Sequence, residues 1–539
     1  MKRLCIGVVL GLLAVAPTGL ASSGGRTLCV GHGHYCYATI QAAVDAAHDG
    51  DTVAVATGRY AGGITIDKSI RLAGAGARAT VIRGGGPVVT VGAYLAPTPP
   101  TVTISGVTIT GGVTTTSPAS AEYGKPGVVA FGGGIEVPFS ADHGAGAALT
   151  LKDSVVADNR VGPRATVPSQ VAACPGGVTC PFAWAKGGGI DSAGPLTLKH
   201  TVVSDNTAAG VASDAVGGGI SIWATGSLTV VNSRLSGNRA LASKPNGRFA
   251  EGGGIFVDDG VKLSIANSAV TDNALRLESD LPYFVDGADP IDMNANGAGV
   301  HAGPDAAVTV VGTNFSRNSI YVKDPNGRPY AFDSALMTAT GPLVLRDSRI
   351  QNNRVYVEAG SSEEVGYSGG ALDIYPSATL SHTLITGNEV LVKSRDGLAA
   401  AGGAVYNGEG EETSLIADSV IAGNTTRSIS ATGQATVQGA GLINDGPLRL
   451  RGVRIVGNTG KAFGPAGFAR GGGIWQGLVF NEGGLPISIA LERTAVSGNR
   501  VSGGPGITVE GGGVFSDGFP VGLDRSRIVG NSPDQCQGC

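Results

Sequence analysis

The run Gly187-Gly-Gly-Ile-Asp-Ser-Ala-Gly-Pro-Leu-Thr-Leu-Lys-His-Thr-Val-Val-Ser-Asp-Asn206 carries three signals in one short stretch. It opens on a glycine triplet followed by an apolar residue. Leu196-Thr-Leu198 then alternates with period 2, the mark of a strand with one face buried and one wet. Val203-Ser-Asp-Asn206 closes it with the pattern apolar-x-x-Asn. Neither half of such a segment can bury its apolar row alone, so the question is what it packs against.

The answer lies in its recurrence. The closing pattern returns eleven times, at Asn159, Asn206, Asn238, Asn273, Asn318, Asn353, Asn388, Asn424, Asn458, Asn499 and Asn531, in steps of 32 to 47 residues. A Gly-rich triplet precedes most copies, starting at Gly132, Gly187, Gly217, Gly252, Gly297, Gly369, Gly402, Gly439, Gly471 and Gly511. Before Asn353 the glycines give way to Ser334-Ala-Leu336. Each repeat thus supplies three short strands and a variable loop. Stacked repeats bury one continuous core between parallel sheets, with right-handed crossovers. The pattern predicts an all-β chain, a right-handed parallel β-helix of roughly 13 coils and about 60 Å. The asparagines are expected at a bend, in left-handed geometry, bonding amide to amide from coil to coil. The variable loops should form a fringe along one corner.

Composition agrees with a solenoid. There are 89 glycines and 27 prolines in 539 residues, yet 42% of the chain is apolar and only 15% charged. The mean hydropathy is +0.16. A formal charge of −4 argues against a nucleic-acid partner, which requires a basic face.

At the start, Lys2 and Arg3 precede an apolar stretch from Leu4 to Ala16. Gly19 and Ala21 fit a cleavage site, so residues 1–21 read as a signal peptide, too short to span a membrane. A secreted, monomeric product without membrane insertion is expected. Six cysteines remain in three local pairs, Cys29 with Cys36, Cys174 with Cys180, and Cys536 with Cys539. Such pairs suit disulfides in an oxidising compartment. Residues 22–52 form an N-terminal cap whose helix begins at the N-cap Thr39 and buries Ile40, Ala43, Val44 and Ala47. The β-helix follows over 53–531, and 532–539 is a short Cys-containing cap.

Ala38-Thr-Ile-Gln-Ala-Ala-Val44, Gly50-Asp-Thr-Val53 and Gly74-Ala-Gly76 resemble the opening of pectate-lyase-like β-helix proteins. The paired repeats resemble those of the polymorphic outer-membrane-protein adhesins, whose coils carry GGA-[ILV] and FxxN. Here Phe occupies the first position only at Phe315, and the chain ends at Cys539 without the adhesins' barrel. The resemblance implies a secreted scaffold that binds an extracellular polysaccharide or a surface protein. Its enzymatic alternative is a polysaccharide lyase or hydrolase.

Candidate site residues follow from alternation. If Ile135 and its equivalents point inward, the next residue points outward. That column reads Glu136, Asp191, Ser221, Phe256, His301, Met337, Asp373, Tyr406, Ile443, Trp475 and Phe515. Phe256, Tyr406, Ile443, Trp475 and Phe515 are the candidate binding residues, since an apolar stripe marks an interaction surface unless loops fold over it as a satellite core. The loop 274–296 holds Glu278, Asp280, Asp286, Asp289 and Asp292, oxygen ligands of the kind calcium takes, but without ligand spacing they read as solvated acids. No other cofactor is implied. No Asn-Thr-Asp, no His-Gly with Arg-x-Lys and no Asp-Pro-His-Asp is present. Asp258-Asp259 falls in a turn, and Arg234, Arg349, Arg454 and Arg527 are spread over many coils. No catalytic set is therefore assigned.

Overall fold

A computed structural model describes residues 25–117, 129–163, 184–211, 214–243, 249–279, 292–325, 328–338, 340–360, 364–375, 377–477 and 487–539. The leader lies outside the described residues. One coil shows how the sequence is used. Ile220–Ile222, Ser227–Val231 and Arg234–Ser236 are the three anticipated strands. Each pairs in parallel with its counterpart in the next repeat: Ile220 with Ile255, Leu228 with Leu263, Leu235 with Val270. Along the rod they build sheets of 14, 15 and 14 strands, a right-handed parallel β-helix. The inward residues Ile220, Ile222, Leu228, Val230 and Leu235 are all fully buried in one continuous core.

The fringe is more ordered than the sequence reading allows. After Asn238 the chain runs out along Arg239–Ser243 and returns along Phe249–Glu251 before the next glycine triplet. These outgoing and returning strands stack into two further parallel sheets of 11 strands each. Between them lies a second core of Ala215, Ala240, Ala242, Ala250, Leu275, Leu277, Ala295, Ile320, Val322 and their successors. The loops therefore form a lateral lobe, and each complete coil carries five strands rather than three. Period-2 alternation in runs such as Ile320-Tyr-Val322 and Val355-Tyr-Val357 already carries this information. Alanine along the return sheet lets the two walls approach closely.

The asparagine spine forms as expected. Asn206 Nδ2 donates to Asn238 Oδ1 at 3.0 Å and to the Val156 carbonyl at 3.0 Å, and its own Oδ1 accepts from Asn159 Nδ2 at 3.0 Å. The Asn159 backbone N–H also reaches that oxygen, at 3.1 Å. Every polar site of the buried amide is filled. The same links run on through Asn499 to Asn531. The left-handed residue is not the asparagine but the one before it: φ is 56° at Asp205, 69° at Gly237 and 59° at Asp272. Turning one residue early leaves the asparagine free to aim its amide along the rod axis.

A second polar ladder escaped the sequence reading. Thr201 N–H donates to Ser233 Oγ and Ser233 N–H to Ser268 Oγ, both at 3.1 Å. Each hydroxyl returns its proton to the carbonyl two residues back, as Ser233 Oγ does to Val231 at 2.8 Å. These small hydroxyl residues line the corner between the middle strand and the Asn-bearing strand.

The first coils carry the one helix among the described residues that is longer than a single turn. Helix α1 (Ile40–Ala46) starts at Thr39, whose side chain accepts the Ala42 N–H, and it buries Ile40, Ala43 and Val44 against the first coils. A strand, Thr27–Val30, precedes it and pairs with Thr52–Val55. Arg26 forks onto Asp51 through Nε at 3.2 Å and Nη2 at 2.8 Å. That guanidinium, helped by the His48 N–H, holds the Asp51 carboxyl down at about 2. Of the three expected disulfides, Cys29–Cys36 and Cys536–Cys539 are bonded. The third expected bond, between Cys174 and Cys180, falls in 164–183, so both Cys174 and Cys180 lie outside the described residues. At the far end the Asn531 N–H and Nδ2 both end on Gln535 Oε1, at 3.0 and 3.2 Å. Among the described residues no helix is long and apolar enough to cross a membrane.

Candidate functional site

The lateral lobe creates the site. The first residue of eight of the ten glycine triplets takes a left-handed conformation, with φ 69° at Gly187 and 63° at Gly217, which only glycine adopts freely. This sharp corner folds the return sheet back across the outer face of the glycine-motif sheet, leaving a wedge between the two. The projected column does share one face in register: Glu136 pairs with Asp191, Asp191 with Ser221, Ser221 with Phe256, and Trp475 with Phe515. That face looks into the wedge, not into solvent.

This corrects the open stripe. Phe256 is 7% exposed, Tyr406 4%, Ile443 0%, Trp475 3% and Phe515 6%. Tyr406, Ile443, Trp475 and Phe515 pack with Ala400, and with the half-buried Phe332, Tyr375 and Leu398, as a third core. Arg470 closes its edge, with the guanidinium 4.6 Å from the Phe515 ring and Nε donating to Glu510 at 2.8 Å. In the C-terminal half these side chains hold two lobes together.

In the middle of the wedge, Asp333 stands where other coils place the first glycine. It keeps the left-handed backbone, with φ 52°, and is fully buried beside the buried Asp373. Burial, reinforced by the neighbouring Asp373, pushes the Asp333 carboxyl well above the usual carboxylate range. Burial raises Asp373 to about 7, with Asp333 pulling it the other way.

The N-terminal half is different. Trp184, Lys186, Asp214, Val216, Phe249 and Glu251 from the return sheet, with Phe256 opposite, line a cavity of about 340 Å³, a volume typical of small-ligand sites. The Lys186 ammonium sits over the rings of Trp223 at 3.9 Å, Trp184 at 4.7 Å and Phe256 at 5.5 Å. Burial lowers its pKa, while Asp258, Asp191, Glu251 and Asp214 pull it back up. The rings are fixed: Trp184 Nε1 donates to Asp214 Oδ2 at 3.2 Å and Trp223 Nε1 to Asp191 Oδ2 at 2.8 Å. His301 stacks flat on Phe256, 5.3 Å between centroids. Behind Trp223, burial drives Asp191 up to about 7, and burial together with Asp191 drives Glu136 to about 8. Among the described residues, aromatic rings, one ammonium and two carboxylates line the cavity, groups that can hold a hydroxyl-rich ring by stacking and hydrogen bonding.

Sequence reasoning missed Trp184, Lys186, Asp214 and Glu251. Their signal was positional: Lys186 and Glu251 immediately precede glycine triplets, where a loop reading gives them no direction. The other candidates stay apart. Glu278 is held by Arg276 Nε at 2.9 Å, and Asp280, Asp286 and Asp289 lie outside the described residues. Among the described residues no three His, Cys, Asp or Glu side chains come together to hold a metal. Arg234, Arg349, Arg454 and Arg527 are exposed on separate coils. Asp259 is an exposed turn residue.

No protein-family model matches this sequence, and no curated protein does. Among solved structures, two pectin methylesterases in complex with hexasaccharides, one of them a mutant, align at 12% and 11% identity with TM-scores of 0.24 and 0.23. Each alignment covers 58% of this chain and 89% of the other. A PL6-family alginate lyase aligns at 9% identity and a TM-score of 0.18, over 94% of this chain and 100% of its own.

Proposed function

We propose that this chain is an extracellular β-helix protein that binds a polysaccharide in the N-terminal part of the wedge. The cavity walled by Trp184, Phe249 and Phe256 around Lys186 carries this reading. The leader-like residues 1–21 and the bonded pairs Cys29–Cys36 and Cys536–Cys539 support the oxidising, extracellular setting. Adhesion fits the same geometry: the rod presents this pocket on a long scaffold.

The test is an oligosaccharide panel read by isothermal titration with wild type and Trp184→Ala. Loss of a stacking wall weakens binding roughly tenfold or more. Equal affinity in the two proteins removes the cavity from consideration.

One observation favours a hydrolytic reading. Glu136 and Asp191 are paired on adjacent strands, one carboxyl held protonated at neutral pH and the other near its midpoint, the division of labour that acid catalysis of glycoside cleavage uses. Reducing-end release from the bound polysaccharide, abolished in Glu136→Gln with affinity retained, is the outcome that reading requires. Silence over the whole panel leaves the binding role.

A further inference from the structure

Away from the wedge, the coils of Asn424, Asn458, Asn499 and Asn531 carry a positive track on their outer surface. We infer that this track docks a linear sulfated polysaccharide. Two columns of side chains build it. Arg454 and Arg527 share one register column of the Asn-bearing sheet, with Ala495 between them. On the outgoing strands Arg427 pairs with Lys461, and Thr459 with Arg500. The four arginines are exposed and Lys461 is half-buried, each flanked by the buried inward residues of its strand.

Three features carry the inference. First, the charge is uncompensated. On earlier coils this face and its corner neutralise their cations: Arg317 with Asp272 at 2.7 Å, Lys323 with Glu358 at 2.7 Å and Arg354 with Glu389 at 3.4 Å. No acid stands among the outward residues of the strands that carry the track. Among the described residues none of its five cations has an ion-pair partner. Neighbouring coils stand about 4.8 Å apart, so these like charges repel one another. A polyanion laid along them removes that repulsion and releases its own condensed counterions.

Second, the track is bare along its middle. The corner position before each asparagine is Gly423, Gly457, Gly498 and Gly530 here, whereas Asp205, Arg317 and Asn352 fill it on other coils with the same left-handed backbone. A Cβ added at Gly423, Gly457 or Gly530 would meet nothing within 4 Å. No side chain therefore separates the two columns. Residues 478–486, outside the described ones, connect Gln476 to Ile487 at a different corner, between the glycine-motif and middle strands.

Third, the groups present suit sulfate esters on sugar rings. Arginine offers a planar fork to two oxygens of one oxyanion. Phe463 and Val529, on the strands of Lys461 and Arg527, are exposed and give apolar contact to a pyranose. Exposed, hydrated cations gain affinity mainly through counterion release, which favours a densely charged polymer. A glycan with more than one sulfate per ring meets that need better than one with a single carboxylate. Nucleic acid is also dense, but its bases call for stacking platforms, and Phe463 is the single ring among the track's outward residues.

The experiment uses the full chain with dextran sulfate, plain dextran of equal length, a polyuronate and a DNA duplex, each titrated at several salt concentrations. Plain dextran reports whatever the wedge contributes. Dextran sulfate is expected to bind roughly tenfold or more tighter than plain dextran, and added salt should erase the difference. Arg427→Gln, Lys461→Gln and Arg500→Gln together should remove most of that gain and lower the slope of log affinity against log salt by about two to three. A control with Lys152→Gln, Lys199→Gln and Lys262→Gln, exposed on the middle sheet and equal in charge, should bind as wild type does. Far-ultraviolet dichroism matching wild type qualifies each variant; if the triple track variant misfolds, Arg454→Gln with Arg527→Gln carries the test. No gain from sulfation, an equal loss in control and track variants, or tighter binding of the polyuronate or the duplex overturns the inference. The wedge reading is decided separately, by Trp184→Ala.

Discussion

At the residue scale the structure turns on side chains whose every polar atom is spoken for. Asn318 accepts from the Asn273 N–H and Nδ2, and donates to Asn353 and to the Val270 carbonyl. Asn318→Ala leaves several buried partners unpaired at once and should cost about 3 kcal/mol or more, seen as a lower urea midpoint. Asn531 is bonded on one side to a flexible Gln535 side chain, so Asn531→Ala should cost visibly less. An equal loss at both positions would mean that the spine does not work as a cooperative column. The asparagines were legible because they repeat. The left-handed residue before each was not, because Asp, Gly, Asn and Arg all fill that place: Asp205, Gly237, Asn352 and Arg317 share it. The conformation recurs without a single residue type to announce it.

At the element scale the decisive unit is the return strand. Ala250 is fully buried and pairs with Ala215 and Ala295 on the neighbouring coils. Ala250→Leu should force the lobe's two sheets apart and cost about 1–3 kcal/mol, measured as a drop in the thermal midpoint. Trp475→Ala should cost about 3–5 kcal/mol by opening a hole in the third core, and should leave oligosaccharide affinity intact, since the cavity lies coils away. The wedge also sets a pH dependence. Glu136 and the Asp333–Asp373 pair hold protons in the folded state that the unfolded chain releases once the pH passes about 4. Folding therefore binds protons, so stability falls as pH rises above about 4, by about 1.4 kcal/mol per unit for each such carboxyl, until that carboxyl's folded-state value is passed, about 7 for Asp373 and about 8 for Glu136. Urea midpoints at pH 5 and pH 8 check the sign, and Asp373→Asn should flatten the slope. The three anticipated strands and the lid helix were readable from alternation and capping. The wedge was not, because burial of Tyr406, Ile443, Trp475 and Phe515 depends on a sheet formed by residues that read as loop.

At the scale of the whole molecule the rod is nearly one-dimensional: each strand pairs in parallel with its counterparts on the coils above and below, with one register shift between Val365 and Ser368. A complete coil is thus interchangeable in principle with the bond it interrupts. Excising residues 405–441 joins Ala404 to Leu442, sets Leu442 on Leu372, and brings Asn388 against Asn458. The shortened protein should fold with unchanged dichroism and a modestly lower melting temperature. Collapse into a helical or unordered spectrum would show that coils are not autonomous units.

The spine is also a directed object. Every link points its donors toward the C-terminus, from Asn159, whose oxygen is taken by the Gly112 N–H at 2.9 Å, to Asn531, whose donors are received by Gln535. A chain cut just after Asn531 would expose two waiting hydrogens above an open apolar disc, which any further coil, its own or a sister molecule's, could land upon. In the intact chain Gln535, beside the Cys536–Cys539 bond, receives those donors.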